Sequence, residues 1–156
     1  MAQSAHSHVH VEPSGELLAE SARAVLTGRG EQWTDMRAVI FDVLAEQDRP
    51  SSAYDIADKV SQRRGKRVAP NSVYRILDLF VASNLAKRIE SANAFIVNAH
   101  PGCRHDCIYL VCTACGEATH VDDDRVTSDV RDIAARNKFV ADRPVIEILG
   151  RCGRCA

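Results

Sequence analysis

The chain has 156 residues, 46% of them hydrophobic and 26% charged, with a net charge of −1, which suits one or two small globular domains. That length leaves little room for a large enzyme core, and no apolar run approaches the roughly 20 residues that cross a bilayer. Met1–Val11 has neither the basic region nor the apolar run of a secretory signal. The six cysteines are therefore expected in a reducing cytoplasm, where close thiols hold metal more often than they form disulfides.

Residues 1–13 read as a polar tail in which His6, His8 and His10 alternate, a solvated terminus with weak metal chelation as the alternative. Residues 14–98 read as one unit. Leu17, Leu18, Val25 and Leu26 form a helical stripe that ends at Gly28-Arg29-Gly30. Trp33, Met36, Val39, Ile40, Val43 and Leu44 mark a second helix that should stop before Pro50. Ser51 or Ser52 can cap a third helix carrying Tyr54, Ile56, Ala57 and Val60. After a basic turn at Arg63–Arg67, Pro70 opens a fourth helix with Val73, Ile76, Leu77 and Phe80 on a buried stripe. Asn71, Tyr74, Arg75 and Asp78 lie on or near its opposite face. Two extended runs, Ala86–Glu90 and Ala94–Asn98, flank Ser91-Ala92-Asn93 and read as a hairpin.

Helices followed by a hairpin describe a winged helix-turn-helix. The buried stripe holds the last helix to its domain, and the free face can enter a major groove about 12 Å wide. From Asp48 to Glu90, nine Lys/Arg stand against five Asp/Glu, in a chain that is otherwise acidic. Such a segment is either an electrostatic footprint for phosphate or a solvated helix face.

Residues 99–156 form a second, smaller α/β unit. Cys107–Cys112 is strand-like and can pair with Glu117–Val121 across Cys115-Gly116. Asp122–Asp124 suit a helix N-terminus, and Val126, Val130, Ile133, Ala134 and Asn137 mark one helical face. Val145–Leu149 gives a last strand. The fold class is thus α+β. A unit this small needs metal stapling, dimerisation or both. Cys112/Cys115 and Cys152/Cys155, two Cys-x-x-Cys pairs, supply the four thiolates of a tetrahedral structural zinc with bonds of about 2.3 Å. Disulfides, a redox pair or a single iron held by the four cysteines are the alternatives.

A second concentration of donors, His100, Cys103, His105, Cys107 and His120, sits where the two units join. In an extended segment Cys103, His105 and Cys107 project to one side, and mixed Cys/His ligation favours zinc over manganese or magnesium. A surface histidine and a small buried cysteine are the plainer reading. Zinc deaminases need a His-x-Glu and a Pro before Cys-x-x-Cys. No Pro directly precedes either Cys-x-x-Cys here, so the chain is expected not to be an enzyme.

Four motifs in order, Ser52-Ala53-Tyr54-Asp55, Asn71-Ser72-Val73-Tyr74-Arg75-Ile76-Leu77-Asp78, Lys87-Arg88-Ile89-Glu90-Ser91 and Cys112-Thr113-Ala114-Cys115-Gly116, resemble the ferric-uptake-regulator family. Within it they are most similar to the zinc-uptake-regulator branch. The resemblance implies a cytoplasmic homodimer that binds an AT-rich, partly palindromic DNA operator when zinc is abundant and represses zinc import. It implies operator contacts from Tyr54, Ser72, Tyr74 and Arg75, and a structural zinc on Cys112, Cys115, Cys152 and Cys155. It also implies a regulatory zinc, so about two ions per protomer, with His105 as one ligand and His120 where a glutamate ligand is usual. Lys87 and Asn98 stand at positions where some relatives place a histidine and a cysteine ligand. His100 and Cys103 are the expected replacements, with Cys107 and Glu90 in reserve. The alternatives are a family member that senses iron, manganese or peroxide, and a zinc-stapled protein-interaction module.

Overall fold

The computed structural model describes residues 15–102, 106–142 and 144–156. The tail with His6, His8 and His10 therefore lies outside the described residues, as do Cys103 and His105. Four helices come first: α1 (Glu16–Gly28), α2 (Asp35–Ala45), α3 (Ala53–Arg64) and α4 (Pro70–Ala82). A hairpin of β1 (Ala86–Ile89) and β2 (Ala94–Val97) follows. The rest is β3 (Ile108–Cys112), β4 (Ala118–Val121), α5 (Asp124–Arg136) and β5 (Ile146–Gly150).

The helices start and stop where local chemistry requires. Thr34 caps α2, its side chain accepting the Arg37 N–H at 3.3 Å. Ser52, not Ser51, caps α3: its hydroxyl accepts the Asp55 N–H at 3.1 Å and donates to the Asp55 carboxylate at 2.7 Å. Gly65 ends α3 in the left-handed region at φ 65°, a conformation that costs glycine little. The Ser61 hydroxyl then holds the basic turn, accepting the Val68 N–H at 2.9 Å and donating to the Ala57 carbonyl at 2.7 Å. Pro70 occupies the first turn of α4, where its missing N–H has no partner to lose.

Leu18, Ala22 and Leu26, four residues apart, bury one line of α1. Leu17, expected on that stripe, sits a quarter-turn away and is 66% exposed. The centre of the helical unit is aromatic. Trp33 meets Phe41 edge-on at 5.6 Å and stacks on Phe80 at 6.2 Å, while Phe41 and Phe80 meet edge-on at 5.8 Å. With Ile56, Val60, Val73 and Leu77 fully buried around them, this cluster sets α4 against α2 and α3.

β1 and β2 pair antiparallel from Ala86 opposite Val97 to Ile89 opposite Ala94. Ser51 and Phe95 exchange backbone hydrogen bonds of 2.9 and 2.8 Å, so the segment before α3 joins the hairpin as a single-residue third strand. The second sheet has the order β4-β3-β5, with β4 antiparallel and β5 parallel to β3. The parallel pairing needs a crossover, which α5 supplies. The Asp123 carboxylate caps α5, accepting the Arg125 and Val126 N–H groups at 3.1 Å each. Val126, Val130 and Ile133 on α5, and Leu110 and Ile148 on the sheet, remain exposed. The protomer therefore leaves much of the apolar surface of this unit uncovered.

Phe80 touches both other rings of the aromatic cluster. Phe80→Ala is expected to lower unfolding free energy by about 3–5 kcal/mol, read as a lower urea midpoint with little change in slope.

Candidate metal centre and nucleic-acid interface

Cys112 closes β3 and Cys115 lies in the turn that follows, where Gly116 adopts φ 76° and its N–H returns to the Cys112 carbonyl at 2.9 Å. Cys152 and Cys155 lie just beyond β5. The Thr113 N–H and hydroxyl both bond to the Gly150 carbonyl, at 2.8 and 3.1 Å, so the two ends meet in fixed register. All four sulfurs lie within 4.8 Å of one another. The Cys115 and Cys152 sulfurs are 3.8 Å apart. Bonds of about 2.3 Å at tetrahedral angles require sulfurs about 3.8 Å apart, so the group fits a tetrahedral thiophilic ion. A disulfide would need about 2.05 Å.

The backbone prepares these sulfurs for a cation. Hydrogen bonds from the backbone of Cys152, then of Cys115, pull the Cys112 thiol down to about 6. The Cys152 thiol is also lowered, first by the Arg154 backbone. Cys155, which shares hydrogen bonds with the sulfurs of Cys152 and Cys115, is pushed up to about 12. One sulfur from each pair is thus biased towards thiolate, and the cluster retains a proton that a bound cation displaces. A zinc ion held there would supply folding free energy by tying the end of β3 to the end of β5.

The second donor group is less complete. Among the described residues, the four cysteines are the single group of three or more Cys, His, Asp or Glu side chains close enough to share an ion. His120 stands on β4 opposite Tyr109, their rings 5.4 Å apart, with Nε2 3.6 Å from the Asp122 carboxylate. His100 follows β2, its N–H donating to the Asn98 side-chain carbonyl at 3.1 Å. The structure does not gather His100 and His120 with a third described donor. Cys107 is half-buried just before β3, and burial raises its thiol. Glu90 lies at the hairpin tip, paired with Arg88 at 3.3 Å. Lys87 and Asn98 converge on Asn84: Lys87 Nζ donates to its side-chain carbonyl at 2.8 Å, and the Asn98 amide donates to its backbone carbonyl at 2.7 Å.

On the helical unit, Val73, Leu77 and Phe80 are fully buried, leaving Asn71, Ser72, Arg75 and Asp78 exposed along α4. Tyr54, at the start of α3, is 61% exposed and meets Tyr74 edge-on at 6.1 Å. Tyr74 in turn rests on Phe95 at 6.2 Å, so the hairpin buttresses the face that carries Arg75. Exposed Lys66 and Arg67 flank the N-terminus of α4. Two residues without a sequence signal also matter here. Arg49, after α2, donates to the Cys115 carbonyl at 2.8 Å, and Glu147, on β5, accepts N–H groups from the hairpin tip. Both join parts of the chain that no local pattern relates.

The ferric uptake regulator family model matches residues 28–148. The chain belongs to the ferric uptake regulator family. The zinc uptake regulation protein of Escherichia coli strain K12 is 27% identical over 141 residues, covering 90% of this chain and 81% of that protein. A zinc uptake regulator solved in complex with zinc and DNA superposes with a TM-score of 0.81 at 25% identity, over 88% of this chain and 91% of that one. Holo XcZur superposes at 0.77 with 28% identity, over 87% and 94% of the chains, whereas apo XcZur gives 0.50 over 88% and 95% at 30% identity. This family member is a metal-responsive regulator and not an enzyme. Among its described residues, no helix is long and apolar enough to cross a membrane.

Cys112→Ser removes the sulfur that bridges both knuckles. It is expected to lose one tightly held metal per protomer by elemental analysis and to melt the C-terminal sheet, seen as lost amide protection in β3 and β5.

Proposed function

We propose that the chain is a zinc-responsive transcriptional repressor of zinc uptake genes that works in the cytoplasm as a homodimer on a double-stranded DNA operator, AT-rich and partly palindromic. The observation that carries this reading is the free face of α4. Its opposite side is locked into an aromatic core, and it presents Arg75 beside the Tyr54–Tyr74 pair. A guanidinium fork on a rigid helix can bond guanine O6 and N7 together, and the flanking tyrosines and Ser72 suit backbone and base-edge contacts. The likeness to a regulator solved with zinc and DNA supports the same use of this face.

The chain then divides at about residue 98, with residues 14–98 binding DNA and residues 99–156 binding metal and dimerising. The exposed apolar residues of α5 and of the sheet support dimerisation, since a second copy would cover what one protomer leaves open. Cys112, Cys115, Cys152 and Cys155 hold a permanent zinc. His100, Cys103, His105 and His120 hold an exchangeable one, giving about two ions per protomer. Their positions in the sequence, from just after the hairpin to β4, support a switch: occupancy there would bias the angle between the units, and that angle decides whether two α4 helices reach one operator. The better superposition on holo than on apo XcZur is in keeping with a metal-dependent arrangement.

Operator binding measured against buffered free metal tests the assignment. Zinc at low free concentration should switch binding on; a response to ferrous iron or manganese in its place would reassign the signal. Arg75→Ala is expected to cost about 1–3 kcal/mol on the operator and far less on random DNA at the same salt. His105→Ala should keep the four-cysteine ion and the fold while abolishing the zinc response.

A further inference from the structure

We propose that Glu147 and Arg49 are positioning residues, two hydrogen-bonded latches that carry the geometry of the four-cysteine unit into the DNA-binding unit. The proposal rests on the DNA-binding reading above and adds how the two halves are held at a working angle. Glu147 lies on β5 opposite Tyr109 of β3. Its two carboxylate oxygens accept successive backbone N–H groups at the tip of the hairpin, Glu90 at 2.6 Å and Ser91 at 3.0 Å. Partial burial would raise this carboxyl, but the hydrogen bonds from Ser91 and Glu90 outweigh it and keep the acid below its ordinary range. Glu147 is therefore ionised at neutral pH, and both bonds are charge-assisted.

The strand that carries Glu147 is itself pinned. Three residues further on, the Gly150 carbonyl takes both hydrogen bonds from Thr113, and Cys152 follows at once. On the other cysteine pair, Arg49 Nη1 reaches the Cys115 carbonyl at 2.8 Å from the loop between α2 and α3. One latch thus runs from a cysteine turn and the other from the strand that leads into Cys152, each to a different part of the helical unit, and two separated attachments fix an orientation that one leaves free to pivot. A cleft of about 50 Å³ lies beside the Glu147 latch, with Lys87 and Arg88 on the hairpin side and Cys107, Tyr109 and Glu147 on the sheet side.

The consequence is specific to a two-headed grip. In a symmetric dimer, two recognition helices must meet half-sites spaced by whole helical turns of about 34 Å, so an angular error at the latches weakens paired binding without touching either reading face. Zinc-loaded full-length Glu147→Gln and Arg49→Ala should each lose about tenfold or more in affinity for a duplex with two half-sites. Affinity for a duplex with one half-site, zinc per protomer and melting temperature should stay at wild-type values. Independently of DNA, the Glu90 and Ser91 amides should exchange faster in Glu147→Ala. Equal losses on both duplexes would make Arg49 an ordinary phosphate contact and overturn the proposal, as would unchanged paired binding or unchanged amide exchange. If the wild type binds no operator, the functional reading falls, and the exchange measurement still decides whether the Glu147 latch exists.

Discussion

The convergence of four cysteine sulfurs is the constraint on which the C-terminal half depends. β3, β4, α5 and β5 bury few side chains among themselves, and several apolar residues of α5 and the sheet face outward. Such a unit has little hydrophobic stabilisation of its own. Tying the end of β3 to the end of β5 closes the crossover and fixes the register of the parallel pair. The hydrogen bonds that fall on Cys112 and Cys152 bias those sulfurs towards thiolate, so the fold and the ion favour the same geometry.

The helical half is built on a different principle. Its core of Phe41, Phe80, Ile56 and Leu77 is completely buried and needs no metal. α4 is therefore held rigidly whatever the state of the other half. The two halves meet through Arg49 on the Cys115 carbonyl and Glu147 on the hairpin tip, while Asn84 gathers Lys87 and Asn98 nearby in sequence. A regulator whose two halves are each internally fixed can respond to an ion by changing the angle between them.

Much of this was legible in the sequence where the signal is local. The α4 stripe, a serine cap for α3 at Ser51 or Ser52, Pro70 at the start of a helix and the two Cys-x-x-Cys pairs are short patterns with direct physical causes. Contacts between distant residues were not legible. The Ser51–Phe95 bridge is one residue long and has no period, and nothing about Arg49 or Glu147 marks them among other charged residues. On α1 Leu17 falls off the buried line, because a small alanine, Ala22, completes it instead. The second donor group was legible as composition alone. His120 lies on β4 and His100 in the segment after β2, and Cys103 and His105 fall outside the described residues.

X-ray absorption at the zinc edge, on protein carrying one equivalent of zinc, tests the central claim most directly. The account predicts a first shell of four sulfurs at about 2.3 Å. A shell containing nitrogen or oxygen would show that the most tightly held ion lies elsewhere, and the arrangement of the C-terminal half would need another cause.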